Sequence, residues 1–206
     1  MDSREVALNI LIDINANGAF SNHSINKHLR RKENIRDENL IREIVYGVIE
    51  NLSYIDCIIS KSSKIKIKKI QPIILEILRM GVYQIAFMDK IPDRAAVNEA
   101  VNLSKKRGHK GVSGYVNGVL RNVSRNKEEL MKVDQKGSID YLSIKYSHPK
   151  WMIEMWLEEY GYEFTEKLCK ENNSKPRLNL RVNTSKITRE ELKERLIGRY
   201  TAEDII

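Results

Sequence analysis

The sequence predicts a mainly α protein, a helical bundle that ends in the start of a small α/β segment. Three observations carry that expectation. Apolar residues recur at the three- and four-residue spacing of a helix face through most of residues 1–126. Glycine, proline and capping residues punctuate that pattern. After Pro176 the texture changes: Leu178, Leu180 and Val182 alternate with Asn179, Arg181 and Asn183, as on a half-buried strand.

Val6, Ala7, Ile10, Leu11 and Ile14 predict a first helix, stopped by Asn15-Ala16-Asn17-Gly18. Ile25 and Leu29 mark a short second helix that runs into Arg30-Arg31-Lys32. Asp37 is placed to cap a third, through Leu40, Ile41, Ile44, Val45, Val48, Ile49 and Leu52. Asn51 or Ser53 punctuates the chain before a helix carrying Tyr54, Ile55, Ile58 and Ile59. Lys64-Ile65-Lys66-Ile67-Lys68 alternates but has no partner, which predicts an extended connector pinned by its two isoleucines.

Pro72 suits a first helical position. Ile74, Leu75, Leu78, Val82, Ile85 and Ala86 then form a broad apolar face, expected of the most buried helix in the bundle. Asp93 is a candidate cap for a helix with Ala96, Val97, Ala100, Val101 and Leu103. After Gly108, Gly111 and Gly114, the residues Val112, Tyr115, Val116, Val119, Leu120 and Val123 predict the last bundle helix. Residues 127–175 read as a helical linker, with a helix opened by Pro149. Residues 176–206 read as an incomplete α/β subdomain, with Thr188 and Glu191 forming a capping box. The chain stops at Ile206, where a further strand would be needed, so a boundary within that subdomain is expected.

Charge is distributed unevenly. Residues 1–126 hold 21 Lys/Arg against 13 Asp/Glu, while residues 127–206 hold 15 of each, so the whole net charge of +8 lies on the predicted bundle. One-sided basic charge favours a polyanion, through phosphate neutralisation and counterion release. No apolar run approaches the roughly 20 residues of a membrane span, and the N-terminus is charged and helix-periodic, so a cytoplasmic protein without a membrane partner is expected. Cys57 and Cys169, with four scattered histidines, offer neither a disulfide framework nor a metal site.

Three groups of cations are candidate RNA contacts. The first is Arg30, Arg31, Lys32 and Arg36, with Arg4 added from the start of the chain. The second is Lys105, Lys106, Arg107 and Lys110, and the third is Arg121 with Arg125, one helical turn apart. Guanidinium forks grip phosphate with two hydrogen bonds and stack on bases. Each residue alone reads as a solvated charge; three clusters on the basic part of the chain favour RNA. The five lysines from Lys61 to Lys69 read equally as phosphate contacts or as a solvated connector. Gly108-His109-Lys110-Gly111 matches a KH-type G-x-x-G loop, but in a helical setting it reads as a connector. Asn98, Glu99 and Asn117 are expected to bridge the last helices by hydrogen bonds.

Catalytic residues are not expected. Covalent catalysis needs an activated nucleophile, and a nucleotide-type cofactor needs a glycine turn after a strand. Cys57 and Cys169 instead lie on apolar helix faces, and no glycine-rich strand–helix junction occurs.

Gly81-Val82-Tyr83-Gln84, Pro92, Ala95-Ala96-Val97-Asn98-Glu99-Ala100, Tyr115-Val116-Asn117-Gly118-Val119-Leu120-Arg121 and Ile44-Val45-Tyr46-Gly47-Val48, in this order, resemble the NusB-like RNA-binding domain. Ser147-His148-Pro149-Lys150-Trp151 and Leu178-Asn179-Leu180-Arg181-Val182-Asn183 are similar to segments that follow it in RsmB-type (Fmu/Sun) ribosomal RNA cytosine-C5 methyltransferases. The resemblance implies a NusB-like helical bundle over residues 1–126, a helical linker, and the start of an RNA-recognition-like subdomain. It implies ribosomal RNA as partner, and S-adenosylmethionine as the cofactor of a catalytic domain that this chain lacks. The alternative is a NusB-like transcription antitermination factor that binds RNA with a ribosomal protein.

Overall fold

Asp2 starts the first helix by accepting a hydrogen bond from the Arg4 amide at 3.2 Å, which satisfies one of the free donors at the helix end. The computed structural model describes residues 2–30, 37–109, 111–174 and 180–197. Among them the chain forms α1 (Ser3–Asn15), α2 (Ser21–Arg30), α3 (Glu38–Glu50), α4 (Leu52–Ser62), a 3-10 turn at Ile67–Lys69, and α5 (Pro72–Phe87). It continues with α6 (Asp93–Arg107), α7 (Val112–Arg125), α8 (Lys127–Leu130), α9 (Ile139–Lys145), α10 (Lys150–Asn172) and α11 (Arg189–Ile197). The chain divides into two units, Met1–Asn173 and Ser174–Ile206.

In the first unit α5 is the central helix, packed by α1, α3, α4, α6 and α7. Its breadth of apolar residues explains this place, because a helix that is apolar on most sides can only be covered from most sides. Ile77, Leu78 and Val82 are fully buried there, facing Leu8, Leu11, Ile44, Ile58 and Leu120 in one continuous core. α5 also buries charge. Arg79 grips Asp56 of α4 through two nitrogens, at 2.8 and 2.7 Å, and Glu76 at 2.6 Å. Asn15 of α1 donates to the other Glu76 oxygen at 3.0 Å. The network joins three helices through groups that would each be costly to bury unpaired.

Two glycines set how closely helices cross. A Cβ on Gly47 would stand 1.9 Å from Tyr83 Cζ, and one on Gly81 would stand 2.6 Å from Leu120 Cδ1. α3 and α7 therefore approach α5 along faces that carry no side chain at the crossing.

Residues 127–148 do not form a free connector. Tyr54 of α4 donates to the Met131 carbonyl at 2.6 Å, its amide donates to Ser147 Oγ at 3.2 Å, and Lys145 Nζ sits 4.6 Å from the centre of its ring. α9 is thereby fastened to the bundle. α9 and α10 share a small core of Leu142, Ile153 and Cys169, all fully buried. α10 runs on through Gly161, whose φ of 74° breaks the helix in its middle.

Several local expectations change. Asp37 stands before α3 in a left-handed conformation (φ 68°) and its side chain caps nothing. Pro92 is the cap position of α6, and Asp93 lies inside the helix, where it accepts from Ser124 Oγ of α7 at 2.8 Å. That contact joins α6 to α7; the side chains of Asn98, Glu99 and Asn117, expected to do so, make no hydrogen bond among the described residues. In the lysine connector only Ile67 packs on the core, while Ile65 is 42% exposed. The expected strand over 178–183 is not formed in its described part, Leu180–Asn183; Leu178 and Asn179 lie outside the described residues. A strand needs a neighbour to satisfy its backbone, and no second strand exists among the described residues. The capping box forms as expected: Thr188 donates to Glu191 Oε2 at 3.0 Å, and the Glu191 amide donates to Thr188 Oγ1 at 3.2 Å.

Candidate nucleic-acid interface

The sequence-predicted cations separate by what already holds them. Arg4 Nε donates to Gln84 Oε1 of α5 at 2.8 Å, so its side chain is partly committed to the bundle. Lys106 pairs with the buried Glu5 of α1 at 2.6 Å, and Arg107 donates to Asn9. The structure thus ties Lys106 and Arg107 of α6 to α1, while Arg4 of α1 is tied to α5. Both Lys106 and Arg107 are exposed, and with Lys105 they complete the last turn of α6, where cations also complement the helix dipole. These residues hold the fold and present charge at the same time.

Arg30 is exposed at the end of α2. That helix is tied to α1 by Asp13, which receives Lys27 Nζ and His28 Nε2, each at 3.0 Å. These hydrogen bonds, the one to His28 foremost, hold the Asp13 carboxyl below its ordinary range. Arg31, Lys32, Arg36 and Lys110 lie outside the described residues.

The third group is different. Arg121 and Arg125 on α7 line a shallow groove of about 330 Å³ with Arg94, Val97 and Asn98 of α6 and Ser124 of α7. All three arginines are exposed, and none has a side-chain hydrogen bond or ion pair among the described residues. Arg94 was missed in the sequence because it stands alone there. The signal was the pairing of α6 with α7: antiparallel neighbours bring the start of one helix beside the end of the other. Arg94 lies 12 residues before Lys106, about 18 Å along the helix at 1.5 Å per residue. Two basic sites therefore stand at opposite ends of α6.

Chemically the groove offers three guanidinium forks, an amide, a hydroxyl and the apolar floor of Val97. Guanidinium forks can grip phosphate oxygens, and an amide can pair with a base edge. Lys64, Lys66, Lys68 and Lys69 are also exposed and make no side-chain pairing among the described residues, whereas Lys61 is bound to Asp134 at 3.3 Å.

Burial raises the thiols of both Cys57 and Cys169 above their ordinary range. Among the described residues no cluster of His, Cys, Asp or Glu could hold a metal ion, and no helix is long and apolar enough to cross a membrane.

Residues 1–125 match the NusB family. The chain belongs to that family. Its NusB domain is followed at residues 148–201 by a match to the RsmF/B-like methyltransferase ferredoxin-like domain. The chain is 37% identical over 196 residues to probable ribosomal RNA small subunit methyltransferase B of Bacillus subtilis, covering 94% of this chain and 43% of that protein. The Synechocystis protein of the same name is 34% identical, covering 95% of this chain and 44% of that protein. The chain thus spans under half the length of these relatives. Transcription antitermination protein NusB of Clostridium acetobutylicum is 40% identical over 132 residues, covering 62% of this chain and 96% of that protein. The crystal structure of PH0851 shares the fold, with a TM-score of 0.65 at 20% identity over 97% of this chain and 45% of that one.

Within the NusB domain the quoted segments are largely packing positions. Gly47 and Gly81 are the close crossings, Tyr83 stacks on Phe87 with ring centroids 5.4 Å apart, and Leu120 fills the space above Gly81. Arg121 follows Leu120 directly, so one short segment supplies both a core contact and a groove cation. At the junction after the NusB domain, Ser143 Oγ donates to the His148 carbonyl at 2.6 Å, and His148 Nδ1 lies 2.7 Å from the Tyr146 carbonyl. Ser147-His148-Pro149 is therefore a fastened corner between α9 and α10. Trp156 rather than Trp151 faces the His148 ring, at 5.5 Å.

Proposed function

We propose that the chain is the RNA-binding, substrate-positioning region of an S-adenosylmethionine-dependent methyltransferase that modifies cytosine C5 in small-subunit ribosomal RNA in the cytoplasm. The observation that carries this reading is the groove in which Arg94, Arg121 and Arg125 stand together without a carboxylate partner among the described residues. Three unneutralised cations side by side repel one another, and an RNA backbone relieves that repulsion on binding. The relatives matching nearly the whole chain, named as small-subunit rRNA methyltransferases, support ribosomal RNA as the substrate class.

The chemistry itself is assigned elsewhere. Among the described residues no strand leads into a glycine turn, and Gly108 and Gly111 sit in a helix–helix connector. These residues do not fit S-adenosylmethionine, and no reaction step is assigned to them. The division is one of labour: this region orients the RNA through phosphate contacts, and a separate site reacts.

A second reading, a transcription antitermination factor acting with a ribosomal protein, is favoured by the match that spans 96% of a NusB protein. It leaves residues 148–201 without a role, which places it second. The test is binding of the chain to a small-subunit rRNA helix and to an unrelated RNA of equal length across a salt series. Preference for the ribosomal RNA with steep salt dependence is expected. Equal binding to both, with retention of a ribosomal protein from a pulldown, would favour the antitermination reading. Salt-independent or absent binding would overturn both.

A further inference from the structure

α10 carries an exposed stripe that the RNA reading does not use. Its inward face is already occupied, since Ile153, Thr165 and Cys169 are fully buried. On the other side Trp151 is 62% exposed and Met155 is 48% exposed. They stand one turn apart, and Glu154 and Glu158, both exposed, share their face at helical spacing. Beside the Gly161 break, Tyr160 and Phe164 form a second exposed pair with ring centroids 4.9 Å apart. Between Trp151 and Phe164 the helix has four glutamates, all exposed, and no lysine or arginine.

Single exposed apolar residues are ordinary, but a tryptophan and a methionine on adjacent turns, followed by an aromatic pair, make a patch of the kind found at protein interfaces. The charge around the patch selects its partner. Four exposed glutamates repel a phosphate backbone, so α10 differs in charge from the basic groove of the bundle. Cationic side chains meet both features at once, because carboxylates accept from them and aromatic faces attract them.

We propose that the exposed side of α10, centred on Trp151, Met155, Glu154 and Glu158, is a docking site for a lysine- or arginine-rich protein segment that carries apolar anchors. The aromatic and methionine side chains receive the anchors, and the glutamates neutralise the cations and fix the orientation. This site is independent of the RNA reading.

The probe is a synthetic amphipathic lysine–leucine peptide, titrated against the full chain by tryptophan fluorescence and, for every variant, by calorimetry, with a glutamate–leucine peptide and a single-stranded RNA as comparisons. The lysine peptide is expected to bind and shift the emission to the blue, and the other two are not. Trp151→Ser should weaken binding about tenfold, as should Glu154→Lys with Glu158→Lys, which is the scale of losing one interface anchor. Arg121→Gln should leave it unchanged. Trp151 is exposed, so its replacement keeps the fold, and circular dichroism checks this. Binding that survives Trp151→Ser would be unspecific charge attraction and would overturn the proposal. So would an RNA-induced shift lost in Trp151→Ser, which assigns the face to RNA, or sedimentation showing a dimer lost in that variant, which assigns it to a second copy.

Discussion

Tyr83 lies across the backbone of Gly47 so closely that a Cβ there would stand 1.9 Å from its ring. The ring cannot move aside easily: its hydroxyl donates to Glu43 at 3.1 Å and its face stacks on Phe87. This contact sets the distance between α3 and α5.

Gly47→Ala therefore tests two opposed effects. Alanine is favoured over glycine within a helix by about 1 kcal/mol, and overpacking a core costs about 1–3 kcal/mol. Because the ring is held on both sides, the cost should lie in the upper part of that range and sterics should win, with a net loss of about 1–2 kcal/mol in urea unfolding. Gly81→Ala meets only the flexible end of Leu120 and should lose less. Equal or reversed losses would show that the crossings are not set by these glycines.

Arg79 should be the least replaceable charge in the bundle. Removing one member of a buried network strands the others, at a cost of about 3–5 kcal/mol for Arg79→Met. Burial pushes the Glu76 carboxyl above its ordinary 4.5, and Arg79 pulls it back. A carboxyl raised in the folded state favours folding most below its unfolded value, and that contribution fades as pH rises through the folded one. Without Arg79 this window extends upward. Acidification from about pH 7 to 5 should then stabilise Arg79→Met relative to the unsubstituted protein. A constant difference across that range would contradict the buried pairing.

Asp13 works in the opposite sense. Its carboxyl is held below the ordinary 3.8, first by the hydrogen bond with His28 and then by Lys27. Its contribution is therefore fully present above pH 3.8 and is lost as pH falls through the lower folded value. Asp13→Asn should be less stable than the unsubstituted protein at neutral pH, and the gap should close in acid. Thermal melts from about pH 6 to 2 measure this. A gap that persists in acid would mean that Asp13 acts through packing.

Burial raises both thiols, so at neutral pH their thiolate fractions are small. Cys57 and Cys169 should react slowly with a thiol reagent in the folded chain and quickly in urea. Rapid labelling of either in the folded state would reopen the question of a nucleophile.

The bundle was legible because its apolar residues keep helical spacing over whole helices, as in α1, α3, α5 and α7, and because the NusB-like segments record close crossings. The buried Glu76–Arg79–Asp56 network was not legible, since a charge on an apolar helix looks like its solvent edge until the helices that enclose it are placed. Asp93 was misassigned because a cap and a cross-helix acceptor have the same composition. The fastening of residues 127–148 by Tyr54 depends on contacts 77 to 93 residues apart, which no local pattern encodes. In the arginine groove Arg121 and Arg125 were legible as a helical pair. Arg94 needed the packing of α6 against α7, and Arg4, Lys106 and Arg107 gained structural roles that only their partners in α1 and α5 reveal.

The most direct measurement compares RNA affinity against salt for the unsubstituted chain, for Arg94→Gln/Arg121→Gln/Arg125→Gln, and for a control that removes equal charge at Lys64, Lys66 and Lys68. With the groove as the phosphate site, the arginine variant should bind more weakly, and its slope of log affinity against log salt should be shallower by about two. The control should change little. Equal losses in both variants, or an unchanged slope in the arginine variant, would contradict the assignment of the groove.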